Sequence, residues 1–336
     1  MPKALFIGNG INRVFQENSI SWDNLLEGLS QNEKLKKNLP GIQNINLNNP
    51  LKPFPLAFEE LMQLGNNNNL DPDERIKLLK EEVHALFQKQ INNGKLGFNE
   101  FHNKVMNLNV TDVITSNYDF GFELAGKKDF YEKKQGLAGY KREKTANLRR
   151  YYSIGEKRVW HMHGELYDSI NHEKPSPKNF AEQSILMGYT HYAKSLTDIK
   201  GYVSGKHRDI PYIMSRLDGD NDLNISWVDK FFTHDIDFFG FGLGFEEQDI
   251  WWLLNFRANK MNKRGKNNKT KIKNHIRFIV RSYKSKDLPS LSYKERVNYD
   301  KDNAIKEVLS SMNVEVVEVD AYNWKNFYEQ IIQFNI

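Results

Sequence analysis

The sequence predicts an α/β fold: a Rossmann-like doubly wound parallel sheet of about six strands with a smaller, mainly helical inserted subdomain. Three observations carry that reading. Six short apolar runs recur along the chain, most of them ending in Gly, Ser or Asn. Helical patterns lie between them, and the spacing from run to run is uneven. Strands of a parallel sheet read as near-continuous apolar stretches because helices cover both faces.

The first run, ALFIG (4–8), leads straight into a glycine turn. About 100 residues separate it from DVITSN (112–117), so residues 30–105 are expected to hold a helical insertion. Within it, DERIKLLKEEVHALFQKQI sets Ile76, Leu79, Val83, Leu86 and Ile91 on one stripe, with Asp73 as the expected cap. VWHMHG (159–164) is the third run. About 70 residues separate it from DIDFFGFG (235–242), which implies a second insertion over 165–230. The helix QDIWWLLNFRA (248–258) follows, then the strand IRFIV (276–280), the helix AIKEVLSSM (304–312) and the strand VEVVEV (314–319). NWKNFYEQIIQF (323–334) closes the series, with Trp324, Phe327 and Ile331 on one helical face. Residues 1–336 read as a single domain without an internal repeat.

Composition narrows the function classes. The 336 residues are 27% charged and 39% hydrophobic, as in ordinary globular proteins. The net charge is +5, and much of the basic excess lies in RANKMNKRGKNNKTKIKNH (257–275). Such a run reads first as a solvated helix end and loop. Contact of the 257–286 segment with nucleic acid or an acidic partner is the minority reading, and no aromatic residues interleave the run. No apolar stretch reaches the roughly 18–20 residues that span a bilayer. The apolar stretch of MPKALFIGNG is too short for a signal peptide, so a cytoplasmic location is expected. There is no cysteine, which excludes disulfides, thiolate zinc sites and cysteine nucleophiles. A metal would rest on His, Asp and Glu alone; no such cluster has obvious ligand spacing, and none is expected.

Four strand ends carry the candidate chemistry. FIGNGINR offers Gly8, Asn9 and Gly10, a turn that lets backbone N–H groups approach phosphate, although Arg13 stands where a third glycine would complete a dinucleotide fingerprint. A purely structural turn is equally open. TSNYD offers Thr115, Ser116, Asn117 and Asp119; its alternative is an Asx turn in which Asn117 or Asp119 caps the next helix. In WHMHGE, His161 and His163 would share one strand face, as metal ligands, a core pair, or a base with its neighbour. His163 stands before Gly164 at the strand end, where a base meets ligand. FFGFGLGFEEQD offers Gly240, Gly242, Leu243 and Gly244, with Asp249 assigned to the helix cap; close strand–helix packing is its alternative. In a parallel sheet all four ends face the same crevice.

That order of motifs resembles the sirtuin family, in particular the zinc-free bacterial branch that cleaves NAD during anti-phage defence. GNGIN stands where the family has its first phosphate turn, and TSNYD matches its Thr-x-Asn-x-Asp element. His163-Gly164 matches the catalytic His-Gly, and GFGL stands at the late Gly-x-Ser-Leu element with Gly242 in place of the serine. ILMGYTHYAKSL (185–196) is similar to the segment that follows His-Gly in this branch, and the match spans residues 4 to about 255.

The resemblance implies an NAD hydrolase that cleaves the nicotinamide–ribose bond and depletes NAD during abortive infection. Gly8, Asn9, Gly10, Asn12, Thr115, Ser116, Gly240, Gly242 and Leu243 would then surround NAD, which is substrate as well as cofactor. The adenosine-side contact of the family's serine hydroxyl would be missing at Gly242. Asn117 would act near the nicotinamide ribose or order the water there, Asp119 would accept from the carboxamide, and His163 would be the base, with His161 a packing or orienting neighbour. The family's four-cysteine zinc module has no counterpart, so zinc and protein deacylation are not expected. The alternative is a non-catalytic module that senses NAD or ADP-ribose and regulates a partner. With no sensor domain expected after residue 336, control would come from homo-oligomerisation, a separate activator or an ATPase-type partner chain.

Overall fold

The computed structural model describes residues 1–15, 22–46, 49, 51–64, 71–92, 98–127, 137–139, 148–165, 185–206, 210–219, 223–262, 272–282 and 291–333. The strands are β1 (Lys3–Ile7), β2 (Asp112–Thr115), β3 (Leu137–Gly139), β4 (Arg150–Ile154), β5 (Lys157–His161), β6 (Asp235–Phe239), β7 (Ile276–Arg281) and β8 (Glu315–Val319). They form one eight-stranded sheet in the order β3-β4-β5-β2-β1-β6-β7-β8. From β5 to β8 every pairing is parallel. Numbered among themselves, these parallel strands run 3-2-1-4-5-6, the doubly wound order of dinucleotide-binding sheets, and the order reverses between β1 and β6.

The apolar runs expected as strands are all present, each ending one to three residues earlier than the run itself or within a residue of it. Two further strands were not read from the sequence. β3 and β4 extend the sheet antiparallel beyond β5. β4 turns into β5 through Gly155, whose φ of +59° suits a tight hairpin.

Helices cover both faces. Between β1 and β2 lie α1 (Trp22–Ser30), α2 (Glu33–Asn38), α3 (Phe54–Leu64), α4 (Pro72–Asn92) and α5 (Glu100–Asn107), and α6 (Gly121–Gly126) follows β2. Between β5 and β6 lie α7 (Gly188–Ser204), α8 (Ile213–Arg216) and α9 (Trp227–Thr233). The remainder are α10 (Gln248–Asn262), α11 (Tyr293–Ser311) and α12 (Trp324–Gln333). Strand side chains alternate between the two cores. Leu5, Ile7, Val113 and Val159 join Leu29, Phe58, Phe101 and Ile331 in one buried cluster. Phe6, Ile114, Trp160 and Phe238 join Tyr202, Phe231, Leu253 and Leu309 in the other.

The helical stretch expected over 30–105 therefore buries its apolar stripe in the same core as β1 and β2. In α4, Leu79 and Val83 are fully buried, as the stripe predicts. Its cap is Asp71 rather than Asp73: Asp71 Oδ1 accepts from Asp73 N at 2.9 Å, and Pro72 takes the first helical position, where no N–H is needed. Much of the basic 257–286 segment and part of the 165–230 stretch lie outside the described residues. Among the described residues, no helix is long and apolar enough to cross a membrane.

Candidate functional site

The loops after β1 and β6 meet at the point where the strand order reverses, and they pack backbone against backbone. Gly8 N donates to Phe239 O at 3.3 Å, and Gly10 N donates to Gly240 O at 2.8 Å. A Cβ on Gly8 would stand 2.5 Å from Gly240 O, and one on Gly10 would stand 2.7 Å from Tyr328 Oη. Gly240 has φ +62°, and a Cβ there would stand 2.1 Å from the same hydroxyl. Glycine is required at these positions by loop–loop contact. The Gly8 and Gly10 amides are engaged by protein carbonyls, where the sequence had pictured a pyrophosphate. Gly242 differs, being exposed with open space where a Cβ would be. Leu243 is buried at φ +40°, an uncommon backbone state for a side chain that large.

The loop after β2 is tied to that seam. Asn12 Nδ2 donates to Asp119 Oδ2 at 2.8 Å and to Asn9 Oδ1 at 2.9 Å. Asp119 Oδ1 accepts from Gly121 N at 2.9 Å, the Asx turn that opens α6. Both Asp119 oxygens therefore have partners within the protein. Thr115 Oγ1 donates to Ile7 O at 2.8 Å and accepts from Asn117 N at 3.0 Å. Ser116 is half-buried between them. Asn117 O accepts from His161 Nδ1 at 2.8 Å. Its backbone is thus held on both sides. Its side chain is not: Asn117 is only 5% exposed, yet neither Oδ1 nor Nδ2 has a hydrogen-bond partner.

The two histidines separate at the end of β5. The strand stops at His161, so strand alternation does not carry over to His163, and the rings engage different carboxylates. His161 Nε2 donates to Glu123 Oε1 at 2.8 Å. Both His161 partners are acceptors, so both nitrogens carry protons and the ring is cationic. Burial opposes that charge, but Glu123 outweighs it with help from Glu165 and raises the His161 pKa to about 9.

His163 Nε2 lies 3.2 Å from Glu247 Oε2 and 4.0 Å from Asp249 Oδ2. Tyr192 stands edge-on to the His163 ring, with centroids 5.2 Å apart. Burial pushes the His163 pKa down, and the two carboxylates more than offset it, so it lies above the ordinary histidine value. Burial pushes the Asp249 carboxyl up, and Glu247 adds to that while His163 opposes it. One ligand atom from each of His163, Glu247 and Asp249 lies within 4.8 Å of the others, a set that could hold a metal ion.

No protein-family model matches the chain, and no curated protein matches it.

The structure brings the β1, β2 and β6 loops together through Asn12–Asp119 and Gly10–Gly240, and joins Asn117 to β5 through His161. The side chains of Asn117 and His163 share no hydrogen bond. Two residues of the site were not singled out in the sequence. Glu247 reaches His163 from the loop before α10, and Tyr328 brings a buried hydroxyl without a hydrogen-bond partner to the Gly10–Gly240 seam from α12. Glu247 had a weak signal, an acidic residue just ahead of a helix that follows a strand-end glycine loop. Tyr328 had none, since it lies in an ordinary helical stripe.

Proposed function

We propose that the chain binds NAD across the carboxyl ends of β1, β2, β5 and β6 and hydrolyses its nicotinamide–ribose bond, releasing nicotinamide and ADP-ribose. The observation that carries this reading is the Asn117 amide, buried with donor and acceptor both unpartnered on a backbone fixed at N and O. Leaving such a group unsatisfied costs about 1–3 kcal/mol, and buried polar groups of this kind call for a ligand or a catalytic task. A planar amide gives a ribose hydroxyl or an attacking water one donor and one acceptor at fixed positions.

The chemistry fits a site with one base and no general acid. The nicotinamide nitrogen of NAD is cationic, so when the C–N bond breaks its electron pair returns to the ring and nicotinamide leaves neutral. Positive charge develops on the ribose, water adds to its anomeric carbon, and His163 takes the water's proton. NAD and water thus give nicotinamide, ADP-ribose and one proton. Asp119, Asn12 and Thr115 shape the wall that carries Asn117. With the sirtuin-like order of the motifs as its support, the proposal extends to NAD depletion during anti-phage defence, with self-assembly or a partner chain as the switch.

The test is nicotinamide release from NAD by the purified protein across a concentration series, beside Asn117→Ala. Release by the wild type and a loss of about 10²-fold or more in a folded variant support the reading. Equal release by both overturns the site. Calorimetric binding of NAD without release at any concentration would favour a second reading, a sensor of NAD or ADP-ribose. The observation behind that reading is the pKa of His163, raised by Glu247 and Asp249: a base must give up its proton to work, and a binding module need not.

A further inference from the structure

We propose that His163, Glu247 and Asp249 form a binding site for a divalent transition-metal ion of the zinc class, and that the ion and the base role of His163 exclude each other. The second half rests on the hydrolase reading; the first does not. The donor set is one imidazole nitrogen and two carboxylate oxygens, three protein ligands with a fourth position left for water, as in open zinc sites. Ligand bonds of 2.0–2.2 Å arranged tetrahedrally put neighbouring donors about 3.4 Å apart. The 3.2 Å and 4.0 Å separations from His163 Nε2 straddle that value, so small side-chain rotations close the set.

A second observation points to a ligand in the same place. His163 Nε2 and Glu247 Oε2 are buried and face each other at 3.2 Å, yet neither atom completes a hydrogen bond. His163 is 1% exposed and Glu247 8%. An ion pair that served only packing would close its hydrogen bond; two buried donor atoms aimed at a common point suit a cation between them.

The surroundings orient the third ligand. Asp249 Oδ1 accepts from Ile250 N at 2.9 Å, and Ser195 Oγ donates to Asp249 Oδ2 at 3.4 Å from α7. Such outer contacts fix the direction of a ligating carboxylate. The imidazole separates this site from one for magnesium or calcium, which prefer oxygen donors. The Nε2 lone pair that binds the ion is the one that would accept a proton from water, so a bound zinc ion silences the base. A cell could thereby hold the enzyme inactive without a separate inhibitor protein.

The experiment uses the full chain, freed of metal by a chelator and titrated with Zn2+ alone by calorimetry, with thermal unfolding recorded at each step. One Zn2+ per chain, a higher Tm on binding, and a loss of affinity of at least about tenfold in each of His163→Gln, Glu247→Gln and Asp249→Asn are expected. The metal-free Tm of each variant shows whether it folds, and three separate substitutions keep the result independent of any one that does not. No Zn2+ binding by the wild type, or binding unchanged in the folded variants, overturns the site. Nicotinamide release in chelator, then with Zn2+ restored, addresses the second half. Release that Zn2+ suppresses supports mutual exclusion, and release that Zn2+ leaves intact overturns it. Zn2+ binding without release under either condition, across the same concentration series, defeats the hydrolase reading for the chain acting on its own, and with it the exclusion, while the metal site stands.

Discussion

Asn117 is fixed at its backbone and open at its side chain, and the two conditions act oppositely on stability. Replacing the amide by an apolar group of similar size removes an unsatisfied buried donor and acceptor, so Asn117→Leu is expected to hold or raise the Tm while abolishing nicotinamide release. Thermal unfolding and turnover on the same preparation check this, and a large fall in Tm would show that the amide is structural. His163 makes a different prediction. Its pKa is raised in the folded protein by Glu247 and Asp249, so under the proposed hydrolase function kcat/KM is expected to grow with the free-base form as pH rises through that elevated value. Glu247→Gln removes part of the cause and should shift the acid limb of the pH profile to lower pH. Asn117 and His163 were legible in the sequence because each closes an apolar run with a polar group. Glu247 was not, because its partner lies on another strand end and only folding joins them.

At the level of elements, the seam between the β1 and β6 loops is the most constrained part of the site. Gly240→Ala combines a left-handed φ with a Cβ that meets the Tyr328 hydroxyl, and is expected to cost about 1–3 kcal/mol, read as a lower denaturation midpoint. The link from β5 to the β2 loop has a pH signature. His161 is raised from 6.5 to about 9, so its contribution is complete below about pH 6.5 and is lost as pH climbs through 9. A shift of that size corresponds to on the order of 3 kcal/mol. Unfolding curves between pH 6 and pH 10 should therefore show a decline in the wild type that His161→Gln flattens. Strand positions were legible from short apolar runs bounded by glycine and polar residues. β3 was hidden by its brevity, and β4 by its alternating burial, which does not resemble a fully buried parallel strand. The Gly155 turn was the available signal for that hairpin.

For the whole molecule, the doubly wound architecture followed from alternation of strand and helix, and the strand order places the candidate site where such sheets bind ligands. The sequence suggested a helical body set beside the sheet. Phe58 and Phe101 of that body are buried in one cluster with Leu5 and Ile7 of the sheet, a contact that spacing along the chain cannot convey. Among the described residues, β8 closes the sheet on the side opposite the hairpin and has a single neighbour. Its Glu315 and Glu318 are exposed, and Glu318 also pairs with Lys306. Two copies brought together along this rim would set carboxylates against carboxylates, a common safeguard against sheet-to-sheet growth. Replacing both glutamates with threonine should make the protein scatter light increasingly with concentration. The intact rim would steer any self-association toward the helical faces, keeping the sheet from propagating into a fibre.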